Sequence, residues 1–155
     1  MKMKKLKFMA LIFLFSGAAM AQTKDEEGAE KQAVVPSVVK TAFQKDYPGI
    51  TTVTWDEEDA DYEAGFKKDG IDMSAVYDKT GHRKTVEAGI KSTQLPQAAM
   101  DYFNKNYNGY KLAEAAKIVT DKNVITYEIE VGKGGKFWDL IFDSNGKFLK
   151  QEEGD

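Results

Sequence analysis

The chain is written twice. Val35-Pro36, Phe43 and Tyr47-Pro48-Gly49 recur as Leu95-Pro96, Phe103 and Tyr107-Asn108-Gly109, at a constant offset of 60 residues. Tyr62-Glu63-Ala64-Gly65-Phe66 recurs as Tyr127-Glu128-Ile129-Glu130-Val131, and Met73 to Gly81 recurs as Trp138 to Gly146, both at an offset of 65. Self-similarity over a long, fixed period marks one structural unit used in tandem, and it constrains the fold more than any single motif. The change of offset gives the second copy five additional residues between its helix and its second strand. The units span residues 34–91 and 92–155.

Each unit reads the same way. Pro36 and Pro96 suit the first turn of a helix, where a missing N–H costs nothing. Val39, Ala42, Phe43 and Tyr47 fall at helical spacing, as do Ala99, Tyr102, Phe103 and Tyr107, so one face of each helix is apolar. Pro48 ends the first helix by forcing Tyr47 out of helical geometry; Asn108-Gly109 ends the second. Strict alternation follows: Val53 and Trp55, then Tyr62, Ala64 and Phe66, then Met73, Ala75 and Tyr77, each interleaved with polar or small residues. Such alternation predicts strands with one buried face. Asp69-Gly70 and Gly134-Gly135 suit two-residue hairpins, whose central positions need positive φ. A short closing strand follows Gly81 and Gly146, represented in the second copy by Phe148, Leu149 and Lys150. The class is α+β: two tandem repeats, each of one helix and three to four antiparallel strands, forming a sheet with both helices on one face. The opposite face is left to solvent or to a ligand.

The first 21 residues, MKMKKLKFMALIFLFSGAAMA, combine four lysines, a short apolar run and a small-x-small site. This is the layout of a signal peptide cleaved after Ala21, and the run is too short to span a bilayer comfortably. No membrane span is expected after cleavage, and the expected location is periplasmic or secreted. Residues 22–33 are polar and aperiodic, a disordered leader. The remaining 134 residues carry 18 basic and 25 acidic side chains, a formal charge of −7. Nucleic acid, which selects clustered Lys and Arg, is not an expected partner. The absence of cysteine excludes disulfide scaffolds, thiol catalysis and thiolate metal sites.

The one histidine lies in Tyr77-Asp78-Lys79-Thr80-Gly81-His82, and the duplication supplies a control. The twin segment is Phe142-Asp143-Ser144-Asn145-Gly146-Lys147: Asp and Gly persist, His does not. Asp at the first position and Gly at the fourth of a type I turn is hairpin chemistry, and neither copy has the Gly and Glu spacing of a calcium loop. No metal site, cofactor or catalytic constellation emerges, although carboxylates are abundant and their pairing in space is unreadable from spacing. The densest charge, Asp56-Glu57-Glu58-Asp59-Ala60-Asp61, reads as a solvated loop between strands, with a calcium or basic-partner site as the sharper alternative. Phe137 and Ile141 fall on the strand face away from the helix. The candidate binding residues are therefore Trp55, Asp56, Glu57, Glu58, Asp59, Phe137 and Ile141.

These features, an aliphatic-Pro pair followed by spaced Phe, Tyr and Gly, a YEAGF or YEIEV strand, and an apolar strand ending in Asp-x-x-Gly, resemble the PepSY-like proteins, related in fold to beta-lactamase inhibitor proteins. The resemblance runs from Val35 to about Glu152. It implies a small periplasmic or secreted helix-and-sheet protein with no established enzymatic role, some of whose wider relatives bind and inhibit enzymes. True inhibitors of that fold usually contain disulfides, which this chain lacks. The expected function is a non-enzymatic binding module that takes an envelope or secreted protein or peptide on its open sheet face. The alternative is a carrier of a small molecule or calcium, using the concave sheet or the acidic stretch 56–61.

Overall fold

The structure, a computed structural model, describes residues 33–154; the signal segment and nearly all of the leader lie outside them. Helix α1 (Ser37–Asp46) is followed by strands β1 (Val53–Glu58), β2 (Asp61–Lys68), β3 (Ile71–Asp78) and β4 (Arg83–Gly89). Helix α2 (Gln97–Asn106) is followed by β5 (Lys111–Thr120), β6 (Ile125–Lys133), β7 (Lys136–Asp143) and β8 (Phe148–Glu153). Each repeat thus has one helix and four strands. All eight strands join one antiparallel sheet in chain order, β1 to β8.

The repeats meet where β4 pairs with β5, Thr85 opposite Thr120 and Gly89 opposite Ala116. Strand β5 also pairs with β6 from Lys111 to Val119. It has 10 residues where its twin β1 has 6. The five additional residues of the second copy are therefore the joint: they lengthen the β5–β6 hairpin until β5 reaches β4. At its tip the Asp121 N–H donates to the Lys84 carbonyl at 2.8 Å. Asp121 Oδ2 also lies 3.1 Å from His82 Nε2, and His82 holds the Asp121 carboxyl below the ordinary aspartate range.

Register places both helices on the same side. Val86, which packs against the α1 cluster, pairs with Val119, and Val119 shares a face of β5 with Ala115 of the α2 cluster. Val39 and Phe43 of α1 pack with Trp55, Ala64, Phe66, Ala75 and Tyr77; Ala99 of α2 packs with Ala115, Ile129, Val131, Leu140 and Phe142. Removing such aromatic and branched side chains from water is what holds each helix down.

The two copies fasten helix to sheet differently. In the first, Asp46 Oδ2 accepts from the Tyr77 hydroxyl and from Arg83 Nη1, each at 3.0 Å. The twins of these residues are Asn106, Phe142 and Phe148. There Tyr102 stacks on Phe148, with centroids 4.5 Å apart and planes 8° apart, and meets Phe142 edge-on.

The Asp-x-x-Gly turns form as expected. Asp78 Oδ1 accepts from the Thr80 and His82 N–H groups and the Thr80 hydroxyl; Asp143 Oδ1 accepts from the Asn145 and Lys147 N–H groups. Gly81 and Gly146 have φ of 84° and 82°. Both also sit against a helix N-terminal turn, which the turn signature does not reveal. A Cβ on Gly146 would lie 2.7 Å from the Ala99 nitrogen, and one on Gly81 would lie 3.1 Å from the Val38 carbonyl oxygen.

Candidate binding face

Among the described residues no α-helix covers the face of the sheet opposite α1 and α2, and the short 3-10 turn Ser92–Gln94 lines it at one side. This face curls into a trough of about 930 Å³ whose floor holds small residues, among them Gly65, Ser74, Gly89 and Ala116. Curvature alone buries Val76 and Ile141, 4 % and 8 % exposed, although no helix covers either. The two are twins at the 65-residue offset.

Carboxylates dominate this concave surface. Strand register sets Glu114 opposite Glu130, Glu130 opposite Asp139, and Asp139 opposite Glu152. Four adjacent strands thus each present an acid at one level of the sheet. Like charges directly opposed across strands repel. Lys150 Nζ lies 2.7 Å from Glu152 Oε2 and offsets one end. Glu128, one pleat away on β6, is 9 % exposed. Burial first, then the charges of Asp139, Glu130, Glu152 and Glu114, push its carboxyl up to about 8. Glu87 on β4 pairs with Ile118 of β5 and is diagonal to Glu128, which lies opposite Ala116. The Glu87 carboxyl is also raised well above the ordinary range, by burial and then by Glu128, Glu63, Asp139 and Glu114. Glu87 Oε2 and the Oγ of its cross-strand partner Ser74 are sealed from solvent and have no hydrogen-bond partner.

The first repeat shows that the scaffold does not need three of the four rungs, although Glu128 has an acidic twin in Glu63. The twins of Glu114, Glu130 and Asp139 are Thr54, Gly65 and Ser74, which pair in the same register. Only the fourth rung, Glu152, has an acidic twin, Glu87.

The residues singled out from the sequence separate. Trp55 is 9 % exposed and lies in the helix-side core, edge-on to Phe43, so it does not belong to the open face. The acidic stretch is mostly strand rather than loop. Asp56, Glu57 and Glu58 belong to β1, and only Asp59 and Ala60 make the turn, both at positive φ. Alternation sends Asp56 to the trough side, opposite Glu63, and Glu57 to the helix side. Asp61 forms an ion pair with Lys84. Among the described residues no set of three or more His, Cys, Asp or Glu side chains is arranged to hold a metal ion. Phe137 and Ile141 are on the open face as expected, but neither is freely exposed. The Phe137 ring lies over Gly132, where a Cβ would come within 2.8 Å of it. Ile141 is buried between Glu128 and Lys150.

This arrangement of helices and sheet defines a class. Residues 21–84 and 60–150 match the family described as "putative beta-lactamase-inhibitor-like, PepSY-like". The chain belongs to the PepSY-like family. Among similar solved structures is a protein described as "putative periplasmic" from Bacteroides eggerthii, at TM-score 0.70 and 19 % identity, covering 78 % of this chain and 90 % of that one. A DUF2874 family protein from Bacteroides uniformis matches at TM-score 0.67 and 20 % identity, covering 76 % and 88 %. A BLIP-like protein from Bacteroides fragilis matches at TM-score 0.60 and 22 % identity, covering 77 % and 89 %. At these identities the likeness is one of fold. No curated protein matches the chain. Among the described residues no helix is long and apolar enough to cross a membrane.

Proposed function

We propose that this protein is a non-enzymatic binding module of the cell envelope, periplasmic or secreted, that takes a protein or peptide on the concave face of its sheet. One observation carries the reading. The trough holds buried carboxylates, and polar atoms without hydrogen-bond partners that a ligand would satisfy. Its volume suits a polypeptide segment better than an ion. The family description and the BLIP-like neighbour support a role in binding another protein, inhibition included. The description of the Bacteroides eggerthii neighbour supports the compartment. The calcium-carrier alternative through residues 56–61 draws no support from the dispersed side chains of that stretch.

Paired photo-crosslinkers test this. One replaces Thr126 on the trough side, the other Lys40 on the outer surface of α1. Irradiation with an envelope extract is expected to give a discrete adduct from the first position and none from the second. Adducts from Lys40 alone, or turnover of a small substrate by the purified protein, would overturn the reading.

A further inference from the structure

We infer that the trough recognises a basic segment of a partner protein, an extended stretch with Lys or Arg at alternate positions lying across β4 to β8. This rests on the reading of the concave face as the binding surface and names the chemistry of what it binds.

Charge complementarity is the first argument. The trough is lined by eight carboxylates and two lysines, and one of those lysines, Lys67, lies 3.2 Å from its cross-strand neighbour Asp72. Four of the eight acids come from each repeat, and the second repeat sets Glu114, Glu130 and Asp139 where the first has Thr54, Gly65 and Ser74. A trough lined by so many acids and so few cations is complementary to a cationic ligand.

The second argument is the orphaned Glu87 Oε2, sealed inside the trough beside Ser74 Oγ. An incoming ammonium or guanidinium brings several N–H donors to acceptors that lack them.

Geometry supplies the third. Neighbouring strands lie about 4.8 Å apart, so the four-rung ladder spans roughly 14 Å. Alternate residues of an extended peptide lie about 6.7 Å apart on one side, so three basic residues at i, i+2 and i+4 cover nearly the same length. Strong charge-assisted hydrogen bonds to carboxylate would then hold the segment in register.

The groups facing Glu128 and Glu87 are Glu63, Glu114, Glu130, Asp139 and Glu152. Burial and the surrounding acids push the Glu128 carboxyl up to about 8, so it retains a proton at neutral pH. A bound cation favours the ionised forms, so binding should expel protons and tighten as pH rises from 6 to 8. Ordinary exposed carboxylates, already ionised over that range, would show neither effect.

The test is calorimetric titration of the mature chain with the peptide Lys-Thr-Lys-Thr-Lys-Thr, repeated in buffers of different ionisation heat. Its Glu-Thr analogue and spermine are run in parallel. Expected are binding of the Lys-Thr peptide alone, proton release, and a weakening of about tenfold or more in the variant E114Q/E130Q/D139N. The control variant E57Q/D101N, altered on the helix side, should bind like the wild type. Thermal melts of both variants establish that they are folded. No binding, equal binding of the Glu-Thr analogue, or affinity unchanged in E114Q/E130Q/D139N overturns the inference. Equal or tighter binding of spermine overturns it too, by making the trough a small-cation site. If the peptide fails while Thr126 still crosslinks a discrete partner, the basic-segment assignment falls and the binding-face reading stands. If both fail, both fall.

Discussion

Tyr77 donates its hydroxyl hydrogen to Asp46 Oδ2 across 3.0 Å, fastening the last turn of α1 to the end of β3. Burial, then this bond, holds the Tyr77 hydroxyl well above the ordinary tyrosine range. Its twin is Phe142, so the ring alone fits the site. Tyr77→Phe should therefore keep the packing and lose one partly buried bond to a charged acceptor. The expected cost is about 1–2 kcal/mol in denaturant unfolding, without change of fold. A larger loss would mean that the hydroxyl organises more than the helix end.

The two Asp-x-x-Gly turns should not respond equally to the same substitution. Both glycines have positive φ, so alanine strains either. Gly81→Ala is expected to cost about 1 kcal/mol. Gly146→Ala should cost roughly twice that, because its Cβ would also meet the Ala99 nitrogen at 2.7 Å and Pro96 Cβ at 2.9 Å, backbone and ring that cannot swing aside. Paired thermal melts check the order; a milder effect at Gly146 would contradict it.

Glu128 makes a pH prediction with a definite sign. Its folded carboxyl titrates near 8, raised from 4.5. The folded state therefore holds a proton that the unfolded state has released, and the stability this gives falls away as pH rises from about 4.5 to 8. Neighbouring acids, Glu87 foremost, slope the same way. Glu128→Gln should flatten that decline and stabilise the protein at pH 7.5, on the order of 2 kcal/mol. Urea unfolding at pH 5, 6.5 and 8 measures it. Loss of stability at pH 7.5 would show that the ionised Glu128 has a partner inside the trough.

His82→Lys copies the second repeat and exchanges one exposed partner of Asp121 for another. The melting temperature should move by less than about 2 °C, and binding by the trough should be unaffected. Abolished binding would make the single histidine a functional residue.

The helices, most of the strands and their turns were legible because each is a local pattern: period 3.6 around Phe43 and Phe103, period 2 along β2, β3, β6 and β7, glycine where φ must be positive. The duplication allowed each assignment to be checked against its twin. Continuity of the sheet was not legible. The five additional residues were visible, but pairing of β4 with β5 depends on how far β5 extends past Ala116, which no local pattern records. The acidic face was missed for a related reason. Glu114, Glu130, Asp139 and Glu152 are 9 to 16 residues apart, and only register aligns them. The contiguous run Asp56–Asp61 drew attention instead, although alternation along β1 splits it between two faces. Applying the 65-residue offset to the outward residues, Gly65 to Glu130 and Ser74 to Asp139, was the signal that could have exposed the ladder.

Because β1 to β8 pair strictly in chain order, every strand finds its partner within one hairpin or, at the joint, across one helix. The contact order is therefore low for so large a sheet, and little loop-closure entropy separates the unfolded chain from its first pairings. A chain built this way can fold in the direction in which it emerges, each strand templating the next. The first repeat would already be complete, with β4 as an open edge, before the residues that bind to that edge appear.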